Sequence, residues 1–195
     1  MNQVIENIEI IRDRKAMGMN PAKFIVWLFI VTIIMLFAAL TSAYVVKQSD
    51  GNWLLIDLPG MFWITSIIIV ISSVMIHLAL LSARKDHFTM LKTYLLLTIV
   101  LGLAFLAGQY QAWKQLVAMD VYFVGNPAGS FLYVLTGLHA LHIISGLIFL
   151  IIVIISAYRL KVHSKNIMKL EMCVTYWHFL GALWLYLFLF LKINH

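Results

Sequence analysis

Long apolar segments alternate along this chain with short polar ones. Five continuous apolar runs are long enough to cross a hydrocarbon core of about 30 Å as helices, which takes about 20 residues. They are Phe24 to Val46, Pro59 to Leu81, Thr93 to Trp113, Ser130 to Ala157 and Met172 to Leu191. Strands of a membrane barrel would be shorter and would alternate, and irregular backbone cannot satisfy its hydrogen bonds in lipid. The pattern therefore predicts an all-α integral membrane bundle of five transmembrane helices.

The segments between these runs are short, about ten to sixteen residues each. Helices joined by such short connections are expected to be antiparallel neighbours, so each helix should pack against the next one in a single membrane domain over 1–195. Pro59 suits the first turn of a helix, where its missing N–H has no role, and Ser130 suits an N-cap position.

The orientation follows from the distribution of lysine and arginine. Eleven of the 14 lie in the polar segment 1–23 and in the second and fourth connections, and three lie on the other side. The eleven are Arg12, Arg14, Lys15, Lys23, Arg84, Lys85, Lys92, Arg159, Lys161, Lys165 and Lys169, and the three are Lys47, Lys114 and Lys192. Cytoplasmic segments carry the excess of positive charge, so the N-terminus is predicted to be cytoplasmic. Within segment 1–23, Val4, Ile5, Ile8 and Ile11 recur at helical spacing, which favours a short amphipathic helix on the membrane surface.

The composition indicates a lipid environment, argues against nucleic-acid binding and excludes disulfides and metal cages built from cysteines. The chain is 63% hydrophobic and 11% charged, whereas a soluble domain carries about 25% charged residues. The net charge of +6 is spread between the apolar runs and forms no basic patch with interleaved aromatics, which argues against nucleic-acid binding. The single Cys173 excludes an internal disulfide and a cysteine-based metal cage.

Histidines are the candidates for chemistry inside the membrane, since all eight acids lie outside the five runs or at their edges. The missing mid-membrane acid argues against an ion-coupled transporter or an intrinsic proton path. His139 and His142 share one face of the fourth helix, in its predicted outer half, whereas His178 is predicted near the inner end of the fifth. This difference in depth favours hydrogen bonds between helices over haem or metal ligation. His77, alone on the second helix, is also interpreted as structural.

Four motifs carry a resemblance to a known family. Residues 130–146, SFLYVLTGLHALHIISG, resemble the signature F-x-x-T-G-x-H-G-x-H-V-x-x-G of subunit III of haem-copper oxidases through Thr136, Gly137, His139, His142 and Gly146. The sequence Tyr176-Trp177-His178-Phe179, followed by Trp184, is similar to the family's terminal Y-W-H-F-x-D-x-x-W. Gln109 and Trp113 match Q-x-x-E-[YW], and Met35-Leu36-Phe37 with Ala43-Tyr44 match S-E-x-M-L-F…A-Y. The helix number fits the five-helix bacterial form of that family.

The departures from these motifs all concern acids. Ile33 stands where the family usually has a glutamate in the membrane, Ala112 stands at the glutamate of the glutamine motif, and Gly181 stands at the aspartate of the terminal motif. These substitutions argue against a direct role of this chain in proton transfer and leave the expected fold and partners unchanged.

The resemblance implies an accessory core subunit of a respiratory terminal oxidase in the bacterial cytoplasmic (inner) membrane. It implies subunits I and II as partners, with haem and copper in those subunits, no catalytic, cofactor or metal site in this chain, and bound phospholipid. The phospholipid is expected in a cleft that separates the first two helices from the other three, and the subunit is expected to support proton uptake and the durability of the catalytic subunit. Gly137, Gly146 and Gly181 are expected at close helix contacts. Candidate contacts with other helices or with lipid are Gln109, Trp113, Thr136, Gly137, His139, His142, Tyr176, Trp177 and His178.

Two alternatives remain open at this stage. A haem b membrane anchor would use the histidines as ligands and would show a Soret band. The related subunit of a nitric oxide reductase would share the same motifs, and the chains with which it purifies would identify it.

The predicted orientation can be tested by cysteine labelling from outside the cell. An impermeant thiol reagent should modify single cysteines placed within Lys47 to Leu58 and Lys114 to Gly129, because the excess of positive charge keeps the other connections in the cytoplasm. Labelling from the same side within Arg84 to Lys92 would reverse the orientation.

Overall fold

The computed structural model describes residues 21–49, 53, 56–158 and 167–194. The amphipathic helix expected within segment 1–23 lies almost entirely outside these residues, so it stays a prediction. The inner side of the bundle is the side predicted to be cytoplasmic, and the outer side is the side predicted to be external.

Five helices make up nearly all of the described residues, and no strand occurs among them. They are α1 (Pro21–Gln48), α2 (Met61–Arg84), α3 (Phe88–Ala118), α4 (Pro127–Tyr158) and α5 (Met168–Ile193). All five are long and apolar enough to cross a membrane, which confirms the predicted class of fold. Most extend beyond the apolar runs, because residues at the membrane surface continue a helix that lipid has already enforced.

The start of α4 differs from the sequence prediction. The helix begins at Pro127, whose missing N–H is no loss in a first turn. The side chain of Asn126 takes the capping role, since its Oδ1 accepts a hydrogen bond of 2.8 Å from the backbone N–H of Ala128. The Ser130 hydroxyl instead donates to the carbonyl of Phe123 at 2.6 Å. Ser130 is therefore not the N-cap, and it ties the preceding loop to the helix.

Four helices form a closed ring of contacts, α2 on α3, α3 on α4, α4 on α5 and α5 on α2, and α1 packs on α4 and α5. Within the described residues α1 does not contact α2, so the expectation that consecutive helices are neighbours is wrong for this pair. The α2–α3 connection spans only residues 85–87, which forces adjacency. Residues 49–60 are twelve in number and could span up to about 40 Å when extended, so this connection does not require α1 and α2 to be neighbours.

Glycines allow the closest approach between helices at particular positions. A Cβ at Gly108 of α3 would lie 2.5 Å from Cγ2 of the buried Thr65 on α2, and a Cβ at Gly146 of α4 would lie 3.0 Å from Leu180 on α5. At Gly137 nothing lies within 4 Å of such an atom. The close contact expected at Gly137 is therefore wrong, because this position faces open space instead of a neighbouring helix.

The same substitution at two glycines should have opposite results. Gly108→Ala should destabilise the protein by about 1–3 kcal/mol, because Thr65 is fully buried and cannot move away from the added methyl group. Gly137→Ala is the matched control and should leave stability unchanged or slightly raised, since alanine favours the helix. Thermal unfolding in detergent measures both, and equal midpoints would contradict the packing described for α2 and α3.

Candidate functional site

Hydrogen bonds between side chains join α3 to both of its neighbours in the outer half of the bundle. The amide of Gln109 donates to Oγ1 of Thr65 on α2 at 3.1 Å, and the indole of Trp113 donates to Oγ1 of Thr136 on α4 at 3.0 Å. Thr136 in turn donates to the carbonyl of Leu132 in its own helix at 2.8 Å. These bonds pair the N–H groups of Gln109 and Trp113, which lipid cannot do, whereas Oε1 of Gln109 has no partner among the described residues. This part of the signature motifs therefore has an interhelical role in the structure.

Two indoles on α5 make equivalent bonds to α2. Trp177 donates to the hydroxyl of Ser72 at 3.1 Å, and Trp184 donates to the hydroxyl of Ser66 at 3.0 Å. The two tryptophans are seven residues apart and therefore share one helix face. Both rings are almost completely buried, so these bonds fix the position of α2 on α5.

Tyr176 and His142 lie together on the side of the bundle that α1 covers. The hydroxyls of Tyr176 on α5 and Ser145 on α4 are 2.7 Å apart. The His142 Nδ1 donates to the carbonyl of Leu138 one turn earlier, at 2.7 Å. The His142 ring centroid lies 5.7 Å from that of Phe37 on α1. His142 therefore contacts a second helix through its ring, and its Nδ1 is bound within its own helix.

His139 is fully buried among aromatic rings. Its ring centroid lies 5.2 Å from Trp184, 5.9 Å from Phe105 and 6.5 Å from Phe37. Neither ring nitrogen has a hydrogen-bond partner within the described part of the chain. His139 thus joins three helices by ring packing and makes no hydrogen bond of the kind that the sequence analysis expected.

His178 and His77 form a pair that the sequence analysis missed. The Nδ1 of His178 is hydrogen-bonded to the hydroxyl of Ser73 on α2, and the His77 ring centroid lies 5.7 Å from that of His178. His178 is ten residues beyond Met168, the first residue of α5, or about 15 Å along the helix. His178 therefore lies deeper than expected, but still in the inner half of this helix, which ends at Ile193. The available signal was the shared polarity of Ser73 and His77, four residues apart on one face of α2.

A cavity of about 420 Å³ adjoins this pair. It lies between α2 and α5 and is lined mainly by apolar side chains, and Ser73, His77 and His178 supply its polar groups. Gly181, one turn beyond His178, also lines it, and a Cβ at Gly181 would meet only Ile69, at 3.7 Å. The position of the family's aspartate is therefore empty space here.

An ion-pair cluster connects α1, α2 and α5 at their inner ends. The carboxylate of Glu171 lies 3.2 Å from the Lys23 ammonium and 3.4 Å from the Arg84 guanidinium. These side chains border a cavity of about 260 Å³ whose other lining residues, apart from Thr175, are apolar. The groove therefore runs between α1 and α2 with α5 as its floor. This corrects the expected cleft, which would have kept α1 and α2 on the same side.

The three positions without the family's acids are accommodated in two ways. Ile33 is 2% exposed and Ala112 is 0% exposed, so apolar packing fills these sites, whereas Gly181 leaves a cavity. Glu171, which the sequence analysis placed outside the fifth apolar run, lies in the first turn of α5 at the membrane surface. Within the described residues, no three histidine, cysteine, aspartate or glutamate side chains come close enough to form a metal site.

The matching family model and the similar proteins are all described as subunit III, or subunit 3, of an oxidase. Residues 54–194 match the family model described as cytochrome c oxidase subunit III. The "Cytochrome bo(3) ubiquinol oxidase subunit 3" of Buchnera aphidicola is 24% identical over 90% of this chain and 95% of that protein. The "Cytochrome c oxidase subunit 3" of Synechocystis sp. is 30% identical over 85% of this chain and 72% of that protein. A "Probable cytochrome c oxidase subunit 3" of Nocardia farcinica is 29% identical over 84% of this chain and 82% of that protein.

The environment of His139 predicts that the protein tolerates replacement of this imidazole by an apolar ring. His139→Phe should leave the unfolding midpoint unchanged or raise it, because it removes two buried ring nitrogens that lack partners and retains a ring among rings. Thr136→Val is the comparison, since it removes the acceptor of Trp113 and should destabilise the protein by about 1 kcal/mol. A larger loss for His139→Phe than for Thr136→Val would show that the imidazole has an essential polar partner.

Proposed function

Because this chain belongs to the cytochrome c oxidase subunit III family and is an accessory subunit of a haem-copper terminal oxidase, we propose that it binds phospholipid and supports proton uptake and the stability of the catalytic subunit during electron transfer to oxygen. Its direct partners are subunits I and II, which hold the haem and copper. Its location is the bacterial cytoplasmic (inner) membrane. The relatives named above are subunits of bacterial oxidases, which supports this assignment over a nitric oxide reductase subunit or a haem b anchor.

The phospholipid proposal rests on the groove between α1 and α2. Lys23 and Arg84 lie at the inner ends of their helices, at the depth of lipid headgroups, and Glu171 holds both of them at the mouth. Two cations beside one carboxylate leave a net positive charge, which suits the phosphate of an anionic phospholipid. Below the mouth, α1 and α5 enclose an apolar cavity of about 310 Å³, lined by residues such as Ile34, Ala38 and Leu183. An acyl chain can lie there without leaving a polar group unpaired.

The candidate contact residues are assigned a structural role. Gln109, Trp113, Thr136 and Trp177 donate or accept hydrogen bonds between helices, and His139 packs among rings from three other helices. In lipid, such contacts and close packing determine how helices associate, because the hydrophobic effect does not act between them. We propose that these side chains hold the bundle in the shape that the catalytic subunit and the lipid require.

Support for proton uptake is proposed to be indirect. None of the four described acids lies at mid-membrane, since Asp57, Asp86 and Asp120 are in connections and Glu171 is in the first turn of α5. A proton path through the middle of the chain would need an ionisable group there. The inner surface instead carries Arg84, Lys85 and the exposed His87 at the α2–α3 turn. We propose that this rim, with the lipid it retains, preserves the surface from which the neighbouring subunit takes up protons.

Three preparations of the complex test this function: the whole complex, the complex without this chain, and the complex with Lys23→Gln and Arg84→Gln. The complex without the chain should begin oxygen reduction at a normal rate and then lose activity during turnover faster than the whole complex. The double variant should purify with less anionic phospholipid and have an intermediate lifetime, because each lost cation near an anionic headgroup removes about 1 kcal/mol of attraction.

Lys85→Gln with Lys169→Gln is the matched control. Both side chains are exposed cations at the inner ends of helices, and neither lines the groove. This control should retain lipid and lifetime like the whole complex. Equal lifetimes of the complex with and without this chain, at matched lipid content, would reduce the subunit to an assembly scaffold.

A further inference from the structure

The cavity between α2 and α5 is not used by the function proposed above. Its polar groups are Ser73, His77 and His178, and its other lining residues are apolar or glycine. The cavity opens toward the surrounding membrane, since Val74 and Leu185 at its edge are 51% and 41% exposed. Its volume of about 420 Å³ falls in the range of small-molecule pockets, which also combine apolar walls with a few convergent polar groups.

The depth of the cavity restricts what can enter it. His77 is seven residues from Arg84 at the inner end of α2, or about 10 Å along the helix, and His178 is about 15 Å into α5. Both imidazoles therefore lie inside the hydrocarbon core. A phospholipid headgroup or a water-soluble ligand would have to leave the aqueous interface to reach them. The ligand must consequently dissolve in the membrane and carry its polar group on an apolar body.

The hydrogen-bonding capacity of the pair specifies that polar group. Ser73 engages Nδ1 of His178, and no other hydrogen-bond partner of His178 or His77 occurs within the described part of the chain. A neutral imidazole presents one donor and one acceptor. An unpaired imidazole in hydrocarbon is unfavourable, so a ligand that accepts from one ring nitrogen and donates to another would stabilise the site. An acyl chain can do neither.

We propose that this cavity binds the ring of a membrane quinone or quinol. A quinone carbonyl accepts a hydrogen bond from an imidazole N–H, and a quinol hydroxyl donates to an imidazole nitrogen, so one pair of histidines can hold either form. The flat ring lies against the apolar walls of α2 and α5, and the prenyl tail extends through the open side into the bilayer. The proposal concerns binding alone, and no electron transfer at this site is part of it.

Gly181 explains why this chain has room for such a ring. The terminal motif usually carries an aspartate here, one turn after the histidine that corresponds to His178. A side chain at Gly181 would extend toward the cavity, with Ile69 at 3.7 Å as the neighbour of its Cβ. The glycine thus removes both a charge and a volume from the membrane-facing side of α5, and both changes favour an uncharged ring.

Photolabelling of the purified complex tests the proposal. The probe is a short-tailed benzoquinone that carries an aryl azide, and mass spectrometry maps the modified peptides. The original chain should be labelled within residues 69–78 or 178–185, and an unlabelled short-tailed quinone should compete. Gly181→Leu keeps both histidines and fills the cavity, and the double variant His77→Ala, His178→Ala removes both imidazoles. Each of these two changes should reduce the labelling about tenfold, which corresponds to about 1.4 kcal/mol of binding free energy.

His87→Ala is the control, because it removes an exposed imidazole from the inner rim and leaves the cavity intact. Its labelling should equal that of the original chain. Gly181→Leu decides the question if the double histidine variant does not assemble. Unchanged labelling in Gly181→Leu, or labelling of these peptides by a photoreactive acyl chain that quinone does not displace, would overturn the proposal. The lipid measurements on Lys23 and Arg84 would be unaffected by that result.

Discussion

Two indole–serine hydrogen bonds attach α5 to α2 and set the rotation of these two helices, on which both the lipid groove and the histidine cavity depend. Lipid tails are as apolar as the helix surfaces, so packing and hydrogen bonds must specify which helices touch and at what rotation. Trp177 bonds to Ser72 and Trp184 to Ser66, with both rings almost completely buried. The next residue on each helix then forms the next bond, since His178 follows Trp177 and Ser73 follows Ser72. One rotational register therefore produces both the buried core contact and the membrane-facing histidine pair.

The loss of three family acids shows how the same bundle can be built without buried carboxyls. At positions 33 and 112, isoleucine and alanine are packed almost without exposure, so buried apolar side chains occupy these sites. Burying an ionised carboxyl is unfavourable unless it is paired, and the apolar residues avoid that requirement. At position 181 the replacement is glycine, and the space stays open. These sites therefore differ in consequence, because only the third leaves a cavity that faces the membrane.

Much of this structure could be predicted from sequence, and the limit of prediction has a physical cause. Five apolar runs specify five helices because lipid enforces backbone hydrogen bonding within each segment. Contacts along one helix, such as the shared face of Trp177 and Trp184, also follow from periodicity. Contacts between helices do not follow, because apolar runs are similar around their circumference and their rotation is not encoded in hydrophobicity. The pairing of His77 with His178, the separation of α1 from α2 and the roles of Lys23 and Arg84 all depend on that missing information.

The binding sites of the two proposed ligands would both depend on the position of α2 relative to α5. Glu171 of α5 binds Arg84 at the inner end of α2 and Lys23 of α1, so the mouth of the lipid groove depends on where these helices lie. The histidine cavity lies further along the same two helices, and its width depends on the same spacing. A ligand that binds one site and favours a particular spacing must change the affinity of the other, and linkage makes that effect equal in both directions. The indole–serine bonds limit its size, because they resist any separation of α2 from α5 that would open both sites fully. In an accessory subunit of this kind, occupancy of the lipid groove and occupancy of the histidine cavity would then depend on each other.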